Sequence, residues 1–153
     1  MATAETVTLS EPHAPKPASV KAFESILPSL KHELVKLRRN HDKHEPEYFK
    51  LVSKLSDHEL TSITLPDDLE LVRVGSSAYG LHLFGKLRIP AAEGAYIHVR
   101  VFVAAEEGTD GKAEENRVAK LHSINTEETV KENGDHVFKA IFGKEDPLEW
   151  FEI

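Results

Sequence analysis

Four side chains within five residues have the chemical types that bind divalent metal ions. They are His41, Asp42, His44 and Glu45. Histidines three residues apart can share one face of a helix, which is the arrangement a metal site would need. Asn40 precedes the group and Pro46 follows it, however, so we expect a polar link between two helices. We therefore predict no metal ion and no cofactor for this chain.

A second group of polar side chains falls in two strands that we expect to be neighbours. Its members are His82, Tyr96, His98 and Arg100. A concave sheet face lined by such residues can form a ligand pocket, as in cone-shaped α+β folds of the nuclear-transport-factor type. A histidine beside a carboxylate there could act as a general base near neutral pH. The alternative is a solvent-facing strand surface with ordinary polar residues.

Other catalytic chemistry finds no support in the sequence. The chain has no cysteine, which excludes disulfides, thiolate metal ligands and a cysteine nucleophile. No serine lies in a strand–turn–helix elbow, and the glycines form no phosphate-binding pattern. We assign no catalytic residue, and the sequence favours a protein that is not an enzyme.

The charge and hydropathy of the chain limit its partners. Its 26 acidic and 19 basic side chains give a net charge of -7, which argues against binding to nucleic acids or to anionic membranes. No apolar run approaches the roughly 20 residues that span a bilayer. The N-terminus has neither the basic start nor the apolar core of a secretory signal, so we expect a cytoplasmic protein.

The N-terminal half of the sequence predicts helices. Residues 1–18 contain three prolines and predict a flexible tail, so that 19–153 form a single domain. Apolar residues then recur at spacings of three and four, from a helix start at Ser19 to an end near Asn40. They are Val20, Phe23, Ile26, Leu27, Leu30, Leu34 and Leu37. Pro28 predicts a kink or the start of a second helix, and Pro46 begins another one.

From Leu69 onward the apolar period changes from 3.6 to 2, which predicts strands. We expect strands over 69–74, 81–89 and 96–104, with a turn at 75–80 and a bulge at Gly85. Asn133-Gly134 predicts a tight hairpin, and 148–153 a last strand. Because the links are short, the strands should form an antiparallel meander. The fold class is therefore α+β, with N-terminal helices packed on a curved antiparallel sheet.

The strand over 96–104 has two different faces. Its aliphatic face should lie under the N-terminal helix and consists of Ile97, Val99, Val101 and Val103. Its mixed face should point outward and consists of Tyr96, His98, Arg100 and Phe102. Such an exposed face resembles a surface for a protein partner or a homodimer. In the last strand, Leu148, Trp150 and Glu152 should share one face, with Phe151 and Ile153 directed into the core.

Three stretches resemble the cystatins, and especially their intracellular, disulfide-free branch, the stefins. AYIHVRVF (95–102) is similar to the central strand of that family, VRVGSSAY (72–79) to its first inhibitory hairpin, and DPLEWF (146–151) to its closing strand. The resemblance extends over 69–153 and implies a cystatin-like fold. It also implies inhibition of papain-like cysteine proteases by a wedge made of an N-terminal glycine and two hairpins.

The resemblance also assigns binding residues. The first hairpin corresponds to Val74, Gly75, Ser76 and Ser77, and the second to 105–111, which includes Glu106, Glu107 and Gly108, with Trp150 beside them. The sequence departs from the family in four respects: no glycine precedes Gly75, the chain has no glutamine, 105–111 is acidic, and the N-terminal helical region is longer than the family's.

We therefore expect a non-enzymatic protein-binding module, with a papain-like cysteine protease as the partner that the resemblance implies. The alternative is a small-molecule-binding or enzymatic cone-type domain with the histidine-lined pocket described above.

Overall fold

A computed structural model of the chain describes residues 7–104 and 118–151. The described elements are, in chain order, α1 (Pro17–His44), a 3-10 helix (Pro46–Val52), α2 (Asp57–Leu60), β1 (Leu69–Ser77), β2 (Gly80–Arg88), β3 (Tyr96–Ala104), β4 (Ala119–Ile124), β5 (Glu127–Val130) and β6 (His136–Lys139). Strands β1 to β4 form one antiparallel sheet in that order, and β5 and β6 form a second, two-stranded sheet. The predicted α+β class is confirmed.

Helix α1 is longer than the sequence pattern predicted. It has 28 residues, begins at Pro17 and continues through Pro28. Pro28 does not end it, because Ile26 and Leu30 on either side are both buried in the core. The polar link expected after Asn40 is wrong, since the helix includes HDKH and has three basic side chains in its last turn, where they suit the helix dipole. No helix in the described ranges is apolar enough over sufficient length to cross a bilayer.

The N-terminal segment (residues 7–16) differs from the flexible tail predicted over 1–18. Leu9 forms a bridge with Gly75, and His13 forms a bridge with Val72. The segment therefore lies antiparallel along the free edge of β1. Pairing with a sheet edge orders a stretch whose proline-rich composition offers little to bury, because the edge supplies backbone hydrogen bonds.

The main core lies between α1 and the aliphatic face of the sheet. Ile97, Val99, Val101 and Val103 are all buried there, as predicted. They share one cluster with Phe23, Leu30 and Leu34 of α1. Burial of each of these β3 side chains contributes about 1.5–3 kcal/mol.

Gly85 does not form the bulge that we predicted. It pairs in regular register with Val72 and Val99. A Cβ atom at this position would lie 2.5 Å from Cζ of Phe23. The glycine thus makes room for an aromatic ring of α1 against the middle of the sheet.

In the C-terminal part of the chain, the structure contains the predicted hairpin but not the predicted last strand. Asn133-Gly134 lies in the turn of the predicted hairpin, between β5 and β6. Of these two residues, only Gly134 has a positive φ, of 88°. The turn is therefore not one in which both central residues take a positive φ, which is the tight turn that Asn-Gly favours. No strand occurs over 148–151, which instead crosses the face of the sheet opposite α1. We call 140–151 the C-terminal segment and the sheet face it covers the second face.

Candidate functional site

The residues of the predicted pocket lie together on the second face, but they are buried. Strand register places His82 opposite Phe102, and Lys86 opposite His98. His82, Tyr96, His98 and Arg100 are each exposed by 5% or less. The prediction that β3 presents this face outward is wrong, because the C-terminal segment covers it. The interpretation of this face as a surface for a homodimer or a protein partner depended on its exposure, so the structure does not support it.

Two cations of the second face bind backbone carbonyls of the C-terminal segment. Lys86 Nζ donates to the carbonyl oxygen of Lys144 at 2.8 Å and to that of Asp146 at 2.7 Å. Arg73 donates from a guanidinium nitrogen to the carbonyl oxygen of Leu148 at 2.8 Å. Carbonyl oxygens offset part of the cost of removing these charges from water, so the second face can be cationic and still be covered.

Arg100 is the third cation that holds the C-terminal segment. It donates to the carbonyl oxygen of Phe151 at 2.9 Å. Its guanidinium carbon lies 4.5 Å from the ring centre of Trp150 and 5.4 Å from that of Phe84. We call Arg73, Lys86 and Arg100 the cation clamp.

Trp150 lies within this packing and is half-buried. Its ring centre is 5.5 Å from that of His82 and 5.2 Å from that of Phe84. Leu148 and Phe151 are both buried against Phe84. The predicted alternation of faces over 148–153 is therefore wrong within the described residues, because the segment is not a strand.

His98 cannot serve as a general base near neutral pH. It is 1% exposed and its ring stacks on Phe142 with centres 4.1 Å apart. Burial, reinforced by the charge of Lys86, lowers the pKa of His98 to about 3. It is a packed core histidine.

Two open clefts occur among the described residues. One, of about 420 Å³, lies between α1 and β4 and is lined in part by Leu37 and Leu121. The other, of about 510 Å³, lies where β2 ends and is lined in part by Arg88 and Tyr96. His82, His98 and Arg100 line neither cleft. The alternative function through a histidine-lined pocket therefore gains no support from this face.

The group predicted to be a polar link, HDKHE, packs at the end of α1. His41 lies 3.5 Å from a carboxylate oxygen of Glu45, and its ring centre is 4.1 Å from that of Tyr48. Within the described ranges, no three side chains of metal-binding type come together.

The residues assigned to the first hairpin lie in β1 and not in the turn. Strand β1 continues to Ser77, and the turn is formed by Ala78 and Tyr79. Tyr79 is 61% exposed. Gly75 is buried, and a Cβ there would lie 2.5 Å from a methyl carbon of Val7.

Three parts of the chain meet at one end of the sheet, which we call the loop end. The β1–β2 turn lies there, and Gly80 after it pairs with Ala104, the last residue of β3. The connection to β4 leaves from Ala104. The N-terminal segment reaches the same end, since its side chains at Val7 and Leu9 lie against Gly75. Glu106, Glu107 and Gly108 lie outside the described residues.

The sequence did not indicate how the β1–β2 turn is supported. The Ser77 hydroxyl oxygen accepts from the backbone N–H of Tyr79 at 3.2 Å. His82 Nε2 lies 3.0 Å from the same oxygen, and His82 Nδ1 lies 3.1 Å from a guanidinium nitrogen of Arg100. Burial, followed by the charges of Arg100 and His122, lowers the pKa of His82 below 6.5. The expectation that the two strands are neighbours was the one signal that could have brought His82 and Arg100 together.

Comparison of the chain with known protein families, with curated proteins and with solved structures found no match.

Proposed function

We propose that this protein is a non-enzymatic binding module that contacts a protein partner through its loop end. We further propose that the partner class is the papain-like cysteine proteases. The observation that carries the proposal is the convergence of the N-terminal segment, the β1–β2 turn and the last residue of β3, Ala104, at one end of the sheet.

Both faces of the sheet are covered by other parts of the chain, which also favours the loop end as the contact surface. One face is covered by α1 and the other by the C-terminal segment. Tyr79, in contrast, is an exposed aromatic side chain on a turn whose backbone is hydrogen-bonded. Exposed aromatics on well-held turns are common anchors of protein interfaces because ordering them costs little entropy.

The choice of partner class rests on the resemblance to the stefins. A helix followed by an antiparallel sheet supports that resemblance, as does the position of the N-terminal segment and the β1–β2 turn at the same end of the sheet as Ala104, the last residue of β3. A cytoplasmic location belongs to the same proposal, because the stefins are the intracellular branch. The family glycine before the helix and the family glutamine are both missing, so we expect weaker inhibition than a stefin would give.

The test is a titration of papain with the protein. Inhibition is measured from the hydrolysis of a fluorogenic peptide, and binding is measured by calorimetry. Inhibition should saturate, and Tyr79→Ala should weaken it by about tenfold or more, as for an aromatic anchor. Leu51→Ala is the matched control, because Leu51 is 74% exposed on the 3-10 helix and lies outside the loop end.

Two results would contradict the proposal. Absence of both inhibition and binding at about 100 μM, a weak affinity by any standard, would remove the protease as partner class. Equal losses of papain inhibition in Tyr79→Ala and Leu51→Ala would show that the loop end is not the contact surface.

A further inference from the structure

A chain of hydrogen bonds connects the C-terminal segment to the β1–β2 turn through one imidazole. Arg100 donates to the carbonyl oxygen of Phe151 and also lies 3.1 Å from His82 Nδ1. His82 Nε2 lies 3.0 Å from the hydroxyl oxygen of Ser77. That oxygen accepts from the backbone N–H of Tyr79.

This geometry fixes both the tautomer and the charge of His82. A guanidinium group can only donate hydrogen bonds, so Nδ1 of His82 must be the acceptor. Nδ1 then carries a lone pair and the ring proton sits on Nε2, from which it is donated to Ser77. His82 is therefore neutral, with its two ring nitrogens in opposite roles.

We propose that neutral His82 is a positioning residue of the loop end, which holds the β1–β2 turn through Ser77 and releases it when acid protonates Nδ1. This inference rests on the proposed function only in naming the turn as a binding surface. Protonation puts a donor on Nδ1, which ends its hydrogen bond from Arg100 and sets two cations against each other.

The ionisable side chains near His82 on the strands of the sheet are basic ones. Arg100 on β3 contacts the ring directly, and His122 on β4 also lowers the pKa of His82. Arg73 on β1 and Lys120 on β4 fall on the same sheet face by register. Protonation of His82 therefore finds no compensating anion among these strand residues.

The two segments that cross the second face also bring no described negative charge to the ring. The C-terminal segment packs Trp150 against His82, while Glu149 beside it is exposed. The N-terminal segment presents Val7 and Leu9 over Gly75, which pairs with His82.

The first experiment follows the imidazole itself in the full chain by ¹⁵N NMR. We expect His82 to be the Nε2–H tautomer at pH 7.5 and to titrate with a midpoint below 6.5. The amide resonances of Ser77 and Tyr79 should shift with the same midpoint. An Nδ1–H tautomer would overturn the proposal, and so would Ser77 and Tyr79 amide resonances that do not shift as His82 titrates.

Variants separate His82 from the other histidine near Arg100. His82→Gln keeps a neutral side chain that does not titrate, so the acid shift of the Tyr79 amide should disappear. His122→Gln is the matched control and should retain that shift. An unchanged Tyr79 titration in His82→Gln would overturn the proposal.

Ser77→Ala tests the same link without changing the histidine. Loss of the hydroxyl removes one hydrogen bond from the Tyr79 amide, whose exchange with solvent should become about fivefold faster at pH 7.5. The His82 tautomer should persist, because the Arg100 contact remains. This variant decides the question if His82→Gln does not fold, and an unchanged Tyr79 exchange rate would overturn the role of Ser77.

The last measurement distinguishes failure of this inference from failure of the proposed function. Papain affinity is compared between the protein and His82→Gln at each pH, so that the titration of papain itself cancels. The affinity of His82→Gln for papain, divided by that of the unmodified protein, should increase as the pH falls below the His82 midpoint. A ratio that stays constant while binding is measurable would overturn the regulatory role. If papain does not bind at all, the proposed function fails, while the NMR results still decide the role of His82.

Discussion

Four buried or half-buried cations among the described residues have backbone carbonyls as partners. Arg38, Arg73, Lys86 and Arg100 each donate to at least one carbonyl oxygen. A long cationic side chain can reach a carbonyl of a distant segment while its methylene groups pack among apolar residues. At the scale of single residues, this pairing is what allows the second face to be both charged and covered.

His98 makes the stability of the protein depend on pH. Its folded-state pKa of about 3 lies below its ordinary value of 6.5, so between these values the unfolded chain binds a proton that the folded chain does not. Stability is therefore full above pH 6.5 and is lost as the pH falls toward 3. Between pH 7 and pH 5 the loss from this residue should be about 2 kcal/mol.

The measurement is urea denaturation at both pH values for the protein and for His98→Phe. The variant keeps an aromatic ring against Phe142 and does not titrate. Its free energy of unfolding should therefore change by about 2 kcal/mol less between pH 7 and pH 5. An identical pH dependence in both proteins would refute the assignment of this effect to His98.

Gly85 should tolerate no side chain. Gly85→Ala places a methyl group where Phe23 Cζ lies 2.5 Å away, and Phe23 is fully buried. Overpacking of this kind costs about 1–3 kcal/mol, which urea denaturation would detect as a lower midpoint. Gly143→Ala is the control, because the nearest atom to its new Cβ would be an Asp146 oxygen at 3.5 Å. Equal effects of the two substitutions would exclude the Phe23 contact as the cause.

At the scale of elements, Arg38 attaches the end of α1 to the stretch that follows it. It is 6% exposed and donates to the carbonyl oxygens of Val52 and Leu55. It also forms an ion pair with Asp57 at 2.6 Å. Arg38→Met should cost about 2–4 kcal/mol in urea denaturation, because two carbonyls lose their donor.

Arg39 provides the comparison for this attachment. It also pairs with Asp57, but its side chain is 68% exposed. Arg39→Met should change the unfolding midpoint little, since exposed ion pairs add little stability. A similar loss in both variants would mean that the charge of the pair matters and the carbonyl contacts do not.

The periodic elements could be predicted from the sequence because their signals are local. Alternation over 96–104 fixed which β3 side chains lie under α1, and Asn133-Gly134 marked a hairpin. The end of α1 was predicted too early, because the polar stretch before Pro46 was interpreted as a link. HDKH contains no helix-breaking residue, so the helix continues to His44, and Pro46 acts only after the helix has ended. Burial of Ile26 and Leu30 likewise outweighed the hydrogen bond lost at Pro28.

The covering of the second face could not be predicted from local pattern. His98 and Arg100 read as solvent-facing residues because nothing near them in sequence explains their burial. Their partners come from the C-terminal segment, and the Lys86 contacts, for example, span 58 and 60 residues. The candidate site was misplaced for the same reason. The loop end depends on strand register, and the support of its turn depends on His82.

At the scale of the whole molecule, the sheet separates two cores of unequal size. The larger one lies under α1, whereas the smaller one consists of Phe84, Leu148 and Phe151 with half-buried neighbours. The smaller core is closed by chain segments without regular secondary structure. Segments with few buried apolar contacts open at lower free energy than helices of the main core. We therefore expect the C-terminal segment to detach while α1 and the sheet remain folded.

Lys86→Met tests this independence by weakening the cation clamp at its most buried member. The Phe142 amide, which donates to the carbonyl oxygen of Tyr96, should exchange about tenfold faster or more, because two hydrogen bonds that hold the segment are lost. Amides of α1 near Leu30 and Leu34 should keep their exchange rates, and Lys120→Met, which removes an exposed cation, should change neither set. Equal acceleration at Phe142 and in α1 would mean that the two cores open together.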